Sequence, residues 1–110
     1  MAYGEQNRID KSIMAFERAE ELDPDSYDNH LGLAIALQKK SNLELADEEY
    51  LNAIHLRSDD SEASFLLGVM YMEYGRNKKA EQQLLRVIEI DPGHIIAREY
   101  LEELRGRRFE

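Results

Sequence analysis

The feature that most restricts this chain is a repeat of 34 residues. Pro24, Ser58 and Pro92 stand at that interval, as do Leu22, Leu56 and Ile90, then Ala19, Ala53 and Val87, then Phe16, Tyr50 and Leu84. Ser12, Ala46 and Ala80 keep the same spacing, Leu33 pairs with Leu67, Ala34 with Gly68, and Tyr3, Leu37 and Tyr71 form a further column. A period of this size marks a supersecondary unit that buries its apolar face only against its neighbours. Within one period Leu33 and Leu37, then Leu43, Ala46, Tyr50, Ala53 and Leu56, recur at helical spacing, so each period is two helices. Ser41 with Glu44 reads as a capping box opening the second helix, and Gly75 supplies the left-handed residue that ends the first helix of the following unit. The turns fall near residues 40–42 and 75–77. Asp23-Pro24-Asp25-Ser26 and Asp91-Pro92-Gly93-His94 stop the second helices, since proline disfavours helical geometry in the residue before it and Ser or Asp caps the next helix.

Composition sets the outer limits. A chain of 110 residues suits one modest domain, and 43% hydrophobic with 34% charged residues describes a chain that folds. The absence of Cys excludes disulfides and thiolate metal sites. The longest apolar run, Phe65-Leu66-Leu67-Gly68-Val69-Met70, is far short of the roughly 20 residues a membrane helix needs. The first residues show no secretory signal, which leaves a cytoplasmic location as the default expectation, with an excised domain of an exported protein as the alternative. A formal charge of -9 opposes binding to nucleic acid, which depends on Lys and Arg displacing counterions. The same charge favours a basic partner and keeps a helical scaffold in solution.

With these columns in place the sequence resembles the tetratricopeptide repeat family. Its third unit carries Leu67, Gly68, Tyr71, Gly75, Ala80 and Pro92, departing at Ser64, Leu84 and Val87; the second carries Leu33, Ala34, Leu37, Ala46, Tyr50 and Ala53, with Ser58 in place of Pro and Ser41 in place of Gly. The resemblance implies an all-α fold of antiparallel helix-turn-helix repeats stacked as a right-handed α-solenoid. It comprises about two and a half repeats and a C-terminal capping helix within a single domain, residues 1–110. Residues 1–24 make a partial first repeat, 25–58 the second, 59–92 the third and 93–110 the cap and tail. Small residues Ala34 and Gly68 are expected to meet Ala46 and Ala80 where paired helices approach. The stretch Leu45-Ala46-Asp47-Glu48-Glu49-Tyr50 is similar to one in type IV pilus assembly repeat proteins.

The two ends depart from the pattern. Tyr3 falls in the column of Leu37 and Tyr71, so the chain enters mid-repeat, with residues 9–22 as a lone second helix and the N-terminal segment folding back over it. Ile13 and Met14 replace Asp47-Glu48 and Glu81-Gln82, an apolar pair in solvated columns that marks a self-association surface and a homodimer, or contact with an upstream repeat, as the alternatives. At the other end Glu102 and Arg105 occupy the columns of Gly68 and Tyr71, which makes the last helix a solvating cap, with Arg105, Arg107 and Arg108 matched to the negative end of its dipole.

In this family the first helices of successive units line a concave groove that takes peptides or helices. Carried over by position, the groove residues are Asp28, Leu31, Ile35, Gln38 and Lys39 in the second unit and Glu62, Phe65, Val69, Met72 and Glu73 in the third. An apolar floor with an acidic rim suits a protein or peptide that presents Leu, Phe or Met between Lys or Arg, at an affinity of about micromolar. Asp28 and Glu62 oppose a carboxylate, which argues against the variety that clamps a chaperone's C-terminus. The expected function is therefore that of a protein-interaction scaffold or adaptor. The alternatives are a self-assembling module or a repeat region of a larger assembly or secretion protein. Catalysis has little support: Glu20-Glu21 and Glu48-Glu49 are helix neighbours that point apart, and nucleophile, phosphate-loop and HExxH motifs are absent. His30, His55 and His94 lie in different units, so no metal triad and no cofactor is expected.

Overall fold

A computed structural model describes residues 2–107, with side chains described from Gly4 to Gly106. All regular structure among them is helical: α1 (Ala2–Leu22), α2 (Tyr27–Lys39), α3 (Leu43–Leu56), α4 (Glu62–Glu73), α5 (Asn77–Ile90) and α6 (Ile95–Arg107). None of these helices is long and apolar enough to cross a membrane. The chain divides between Arg57 and Ser58 into two compact units of three helices each.

In the first unit α2 packs against both α1 and α3. Its core is Leu31, Leu33, Ala34 and Leu37 of α2 with Ala46, Tyr50, Ala53 and Ile54 of α3, and Ile9 joins from α1. Ser26 caps α2 by accepting from the Asn29 amide at 3.2 Å, as the Asp-Pro-Asp-Ser stretch predicts. Lys40 at the far end reaches Asp10 (2.6 Å) and Gln6 (3.3 Å) on α1.

The turn between α2 and α3 differs from the expected capping box. Ser41 adopts a left-handed backbone (φ 63°), the conformation Gly75 takes at the matching position (φ 74°). Asn42 and Ser41 donate back to the carbonyls of Leu37 and Gln38, both at 2.9 Å, as Arg76 and Gly75 do to Tyr71 and Met72. This double closure of a helix C-terminus requires a left-handed residue at its centre. Ser41 is thereby committed to ending α2, and Asn42 caps α3 instead, its Oδ1 accepting from the Leu45 amide.

The expected fold-back of the N-terminal segment is also corrected, because α1 is continuous from Ala2 to Leu22. Gln6, Asn7 and Arg8 occupy the turn columns yet stay helical. The stretch Gly4-Glu5-Gln6-Asn7-Arg8 offers no apolar face to fold onto the helix, whereas continuing the helix adds one hydrogen bond per residue. The side chain of Tyr3 lies outside the described residues.

In the second unit α5 packs against both α4 and α6. Ala63, Leu67, Met70 and Tyr71 of α4, Ala80, Leu84 and Val87 of α5, and Ala97, Leu101 and Leu104 of α6 are buried. A Cβ at Gly68 would lie 3.2 Å from Leu84 and 3.4 Å from Gln83, so the side chains that crowd it come one turn beyond the expected Ala80. His94 starts α6, its Nδ1 accepting from the Ala97 amide at 3.1 Å. Glu102 and Arg105 are exposed, in keeping with a solvated outer face, although Ile95 and Ile96 are exposed as well. The side chain of Arg107 and all of Arg108 lie outside the described residues.

Candidate functional site

The candidate groove residues of the second unit of sequence all sit on α2, at spacings that place them along one face. Leu31 is buried and belongs to the core, while Asp28 and Lys39 are exposed and Ile35 is half-buried. Gln38 is held internally, its Oε1 accepting from the Tyr50 hydroxyl at 2.6 Å. Ile35 and Lys39 open onto a groove of about 440 Å³ between α1 and α2. Ile9, Phe16 and Ala36 make its apolar walls, and the rim carries Glu5, Arg8 and Lys39. Neither Arg8 nor Lys39 has a partner among the described residues, so this rim is mixed in charge where an acidic one is expected.

On α4, Glu62 and Glu73 are exposed, and Phe65, Val69 and Met72 are half-buried. Phe65 already has aromatic neighbours within its unit: the Tyr100 ring is stacked on it at 6.0 Å and the His94 ring is tilted at 4.7 Å. Its remaining exposed edge is what a ligand would meet. On α1, Ile13 is half-buried and Met14 is 68% exposed; Met14 and Leu22, itself 84% exposed, flank a shallow depression with Ala15 and Ala19.

The first unit also assembles a cluster that the sequence did not reveal. His30 on α2 is buried; its Nε2 lies 2.7 Å from the Pro24 carbonyl and its Nδ1 2.6 Å from Glu49 of α3. Glu20 of α1 comes within 3.4 Å of the same Nδ1. A carbonyl only accepts, so Nε2 carries a proton, and the 2.6 Å separation places a further proton between Nδ1 and Glu49. Burial opposes a charge on the ring, but the hydrogen bonds to Glu49 and Pro24 and the field of Glu20 outweigh it and raise the His30 pKa. Burial, then the charge of Glu49, also raises the pKa of Glu20, with His30 pulling the other way. The three residues come from three helices at no recognisable spacing. One signal was available: His30 and Glu49 share columns with Ser64 and Gln83, so both polar partners change together.

Paired helices joined by Schellman-type turns at a fixed period define an all-α helical-repeat protein. The chain belongs to the tetratricopeptide repeat family: models described as tetratricopeptide repeat match residues 31–95 and 1–26. The type IV pilus assembly protein PilF of Pseudomonas aeruginosa is 34% identical over 87 residues, covering 77% of this chain and 34% of that protein. The chain thus spans about a third of that relative's length. Among solved structures, the first TPR of Spaghetti (RPAP3) bound to the HSP90 peptide SRMEEVD is similar with a TM-score of 0.84 and 18% identity, over 99% of this chain and 86% of that one. The Yersinia enterocolitica type III secretion chaperone SycD in complex with a peptide of the translocator YopD is similar with a TM-score of 0.85 and 16% identity, over 94% of this chain and 85% of that one. At these identities the structures establish the shared fold.

Proposed function

We propose that this chain is a protein-interaction scaffold, not an enzyme, and that it takes an amphipathic helix or short peptide against α2. The observation that carries this reading is the open groove between α1 and α2, with an apolar floor of Ile9, Phe16, Ile35 and Ala36 and unpartnered charges at its edge. A Leu, Met or Phe side chain entering that floor removes apolar surface from water on both partners. A carboxylate beside this anchor meets Arg8 and Lys39. On α4 the exposed Glu62 and Glu73, flanking Phe65, Val69 and Met72, suit Lys or Arg next to apolar residues. Two structural relatives of the same fold hold peptides, which supports the class of ligand without specifying its sequence.

Selection of binders from a library of helical peptides, followed by fluorescence anisotropy, tests this. Ile35→Glu is expected to weaken selected peptides at least tenfold, while Leu51→Glu on α3 leaves them unchanged. Peptides indifferent to both Ile35→Glu and Phe16→Ala would sink the groove.

A second reading is self-assembly through α1, favoured by the exposure of Met14 and Leu22. Light scattering across a wide concentration range checks it: a dimer abolished by Ile13→Glu with Met14→Glu makes assembly primary, and a monomer throughout removes it. The match to PilF supports a place for this segment in a larger assembly or secretion protein.

A further inference from the structure

The geometry points to a binding site for one divalent transition-metal ion of the zinc type, formed by Glu20, His30 and Glu49. One ligand atom from each lies within 4.8 Å of those of the other two. Zinc accepts an imidazole nitrogen and carboxylate oxygens at about 2.0–2.2 Å, which sets tetrahedral ligand atoms about 3.4 Å apart. His30 Nδ1 and Glu20 Oε1 already stand 3.4 Å apart. Glu49 is closer, at 2.6 Å, because a proton occupies the space. Exchanging that proton for a metal requires its oxygen to withdraw by about 0.8 Å, to the separation the metal sets.

Two further observations favour a metal over the bare ion pair. The hydrogen bond from Nε2 to the Pro24 carbonyl is the outer-shell contact that orients a metal-ligating histidine, and it aims Nδ1 at both carboxylates. Access is the second. An open pocket of about 400 Å³ beside the cluster is lined by four glutamates, Glu20 and Glu49 among them, and by the apolar Pro24, Leu33, Leu37 and Leu45, so both carboxylate ligands are reached from solvent and there is room for a water as fourth ligand. A nitrogen donor and a small ligand count suit zinc, nickel or copper better than magnesium or calcium, which ask for oxygen ligands throughout.

The test is calorimetric titration of the EDTA-treated chain with zinc chloride at neutral pH, in two buffers of different ionisation enthalpy. One ion per chain is expected, with an apparent enthalpy that changes with buffer because the proton between His30 Nδ1 and Glu49 is released. His30→Gln and Glu49→Gln should each weaken binding at least tenfold, and His55→Gln, on the exposed end of α3, should not. No saturable binding up to millimolar zinc, or binding unaffected by His30→Gln, overturns the site. Because those variants disturb a packed residue, long-range nitrogen-proton spectra of the unaltered chain give an independent reading. Zinc should remove the proton from His30 Nδ1 and leave the one on Nε2, and a ring still doubly protonated in excess zinc refutes the assignment. The outcome is independent of peptide binding between α1 and α2.

Discussion

The ring of Phe16 on α1 lies directly over Gly32 on α2, so close that a Cβ built at Gly32 would overlap its free end. The same ring forms part of the groove wall. Gly32→Ala is therefore expected to swing Phe16 aside, not to break the helix pair. The gain in helix propensity, about 1 kcal/mol, offsets much of the cost of the displacement. Melting temperature should change little while the Phe16 ring-proton shifts and peptide affinity both move. Unchanged ring shifts would refute the contact.

The matched left-handed residues Ser41 and Gly75 make a paired prediction. A non-glycine residue in this conformation costs about 1–2 kcal/mol, partly offset by the greater freedom glycine has in the unfolded chain. Ser41→Gly should stabilise by about 0.5–1 kcal/mol and Gly75→Ala should destabilise by about 1 kcal/mol. Urea unfolding of both variants checks the opposite signs.

Ser64 is completely buried on α4, and its hydroxyl has no hydrogen-bond partner among the described residues. Burying an unsatisfied hydroxyl costs roughly 1–3 kcal/mol. Ser64→Ala removes that penalty at the expense of a void smaller than a methyl group, and a net stabilisation of about 1 kcal/mol is expected. Thermal unfolding measures it, and a loss of stability would mean that the hydroxyl is satisfied in solution.

The Glu20, His30 and Glu49 cluster sets a pH dependence for the metal-free chain. His30 and Glu20 both have folded-state pKa values raised above their ordinary values of 6.5 and 4.5. A raised pKa means that the folded state holds protons the unfolded state releases, so this stability is present at lower pH and lost as pH rises. With EDTA present, stability should decline as pH is raised above about 6.5, the His30 contribution going last. Denaturant midpoints at pH 6 and pH 8.5 check it, and His30→Gln should flatten the difference.

Much of the fold was legible because repetition fixes it redundantly. In the second and third units Ala46 and Ala80, Tyr50 and Leu84, and Ala53 and Val87 are fully or almost fully buried, as their apolar spacing predicts, whereas Ser12, Phe16 and Ala19 in the same columns of α1 are not. The sequence points to Ser41 as a cap because its hydroxyl suits one and its backbone disfavours the left-handed region; the hydrogen bonds that close α2 override that preference. Position alone points Gln38 and Leu31 to the groove, but Tyr50 engages the first and the core takes the second.

The sequence by itself determined that the chain makes paired helices at a 34-residue period and that proline and capping residues separate the pairs. Those are local consequences of residue spacing and backbone preference. Tertiary structure alone decided that Arg8, Phe16 and Ile35 share one groove, and that Glu20, His30 and Glu49 converge from three helices. Such juxtapositions depend on how each helix is rotated and shifted against its neighbour, which packing sets and a linear spacing does not encode.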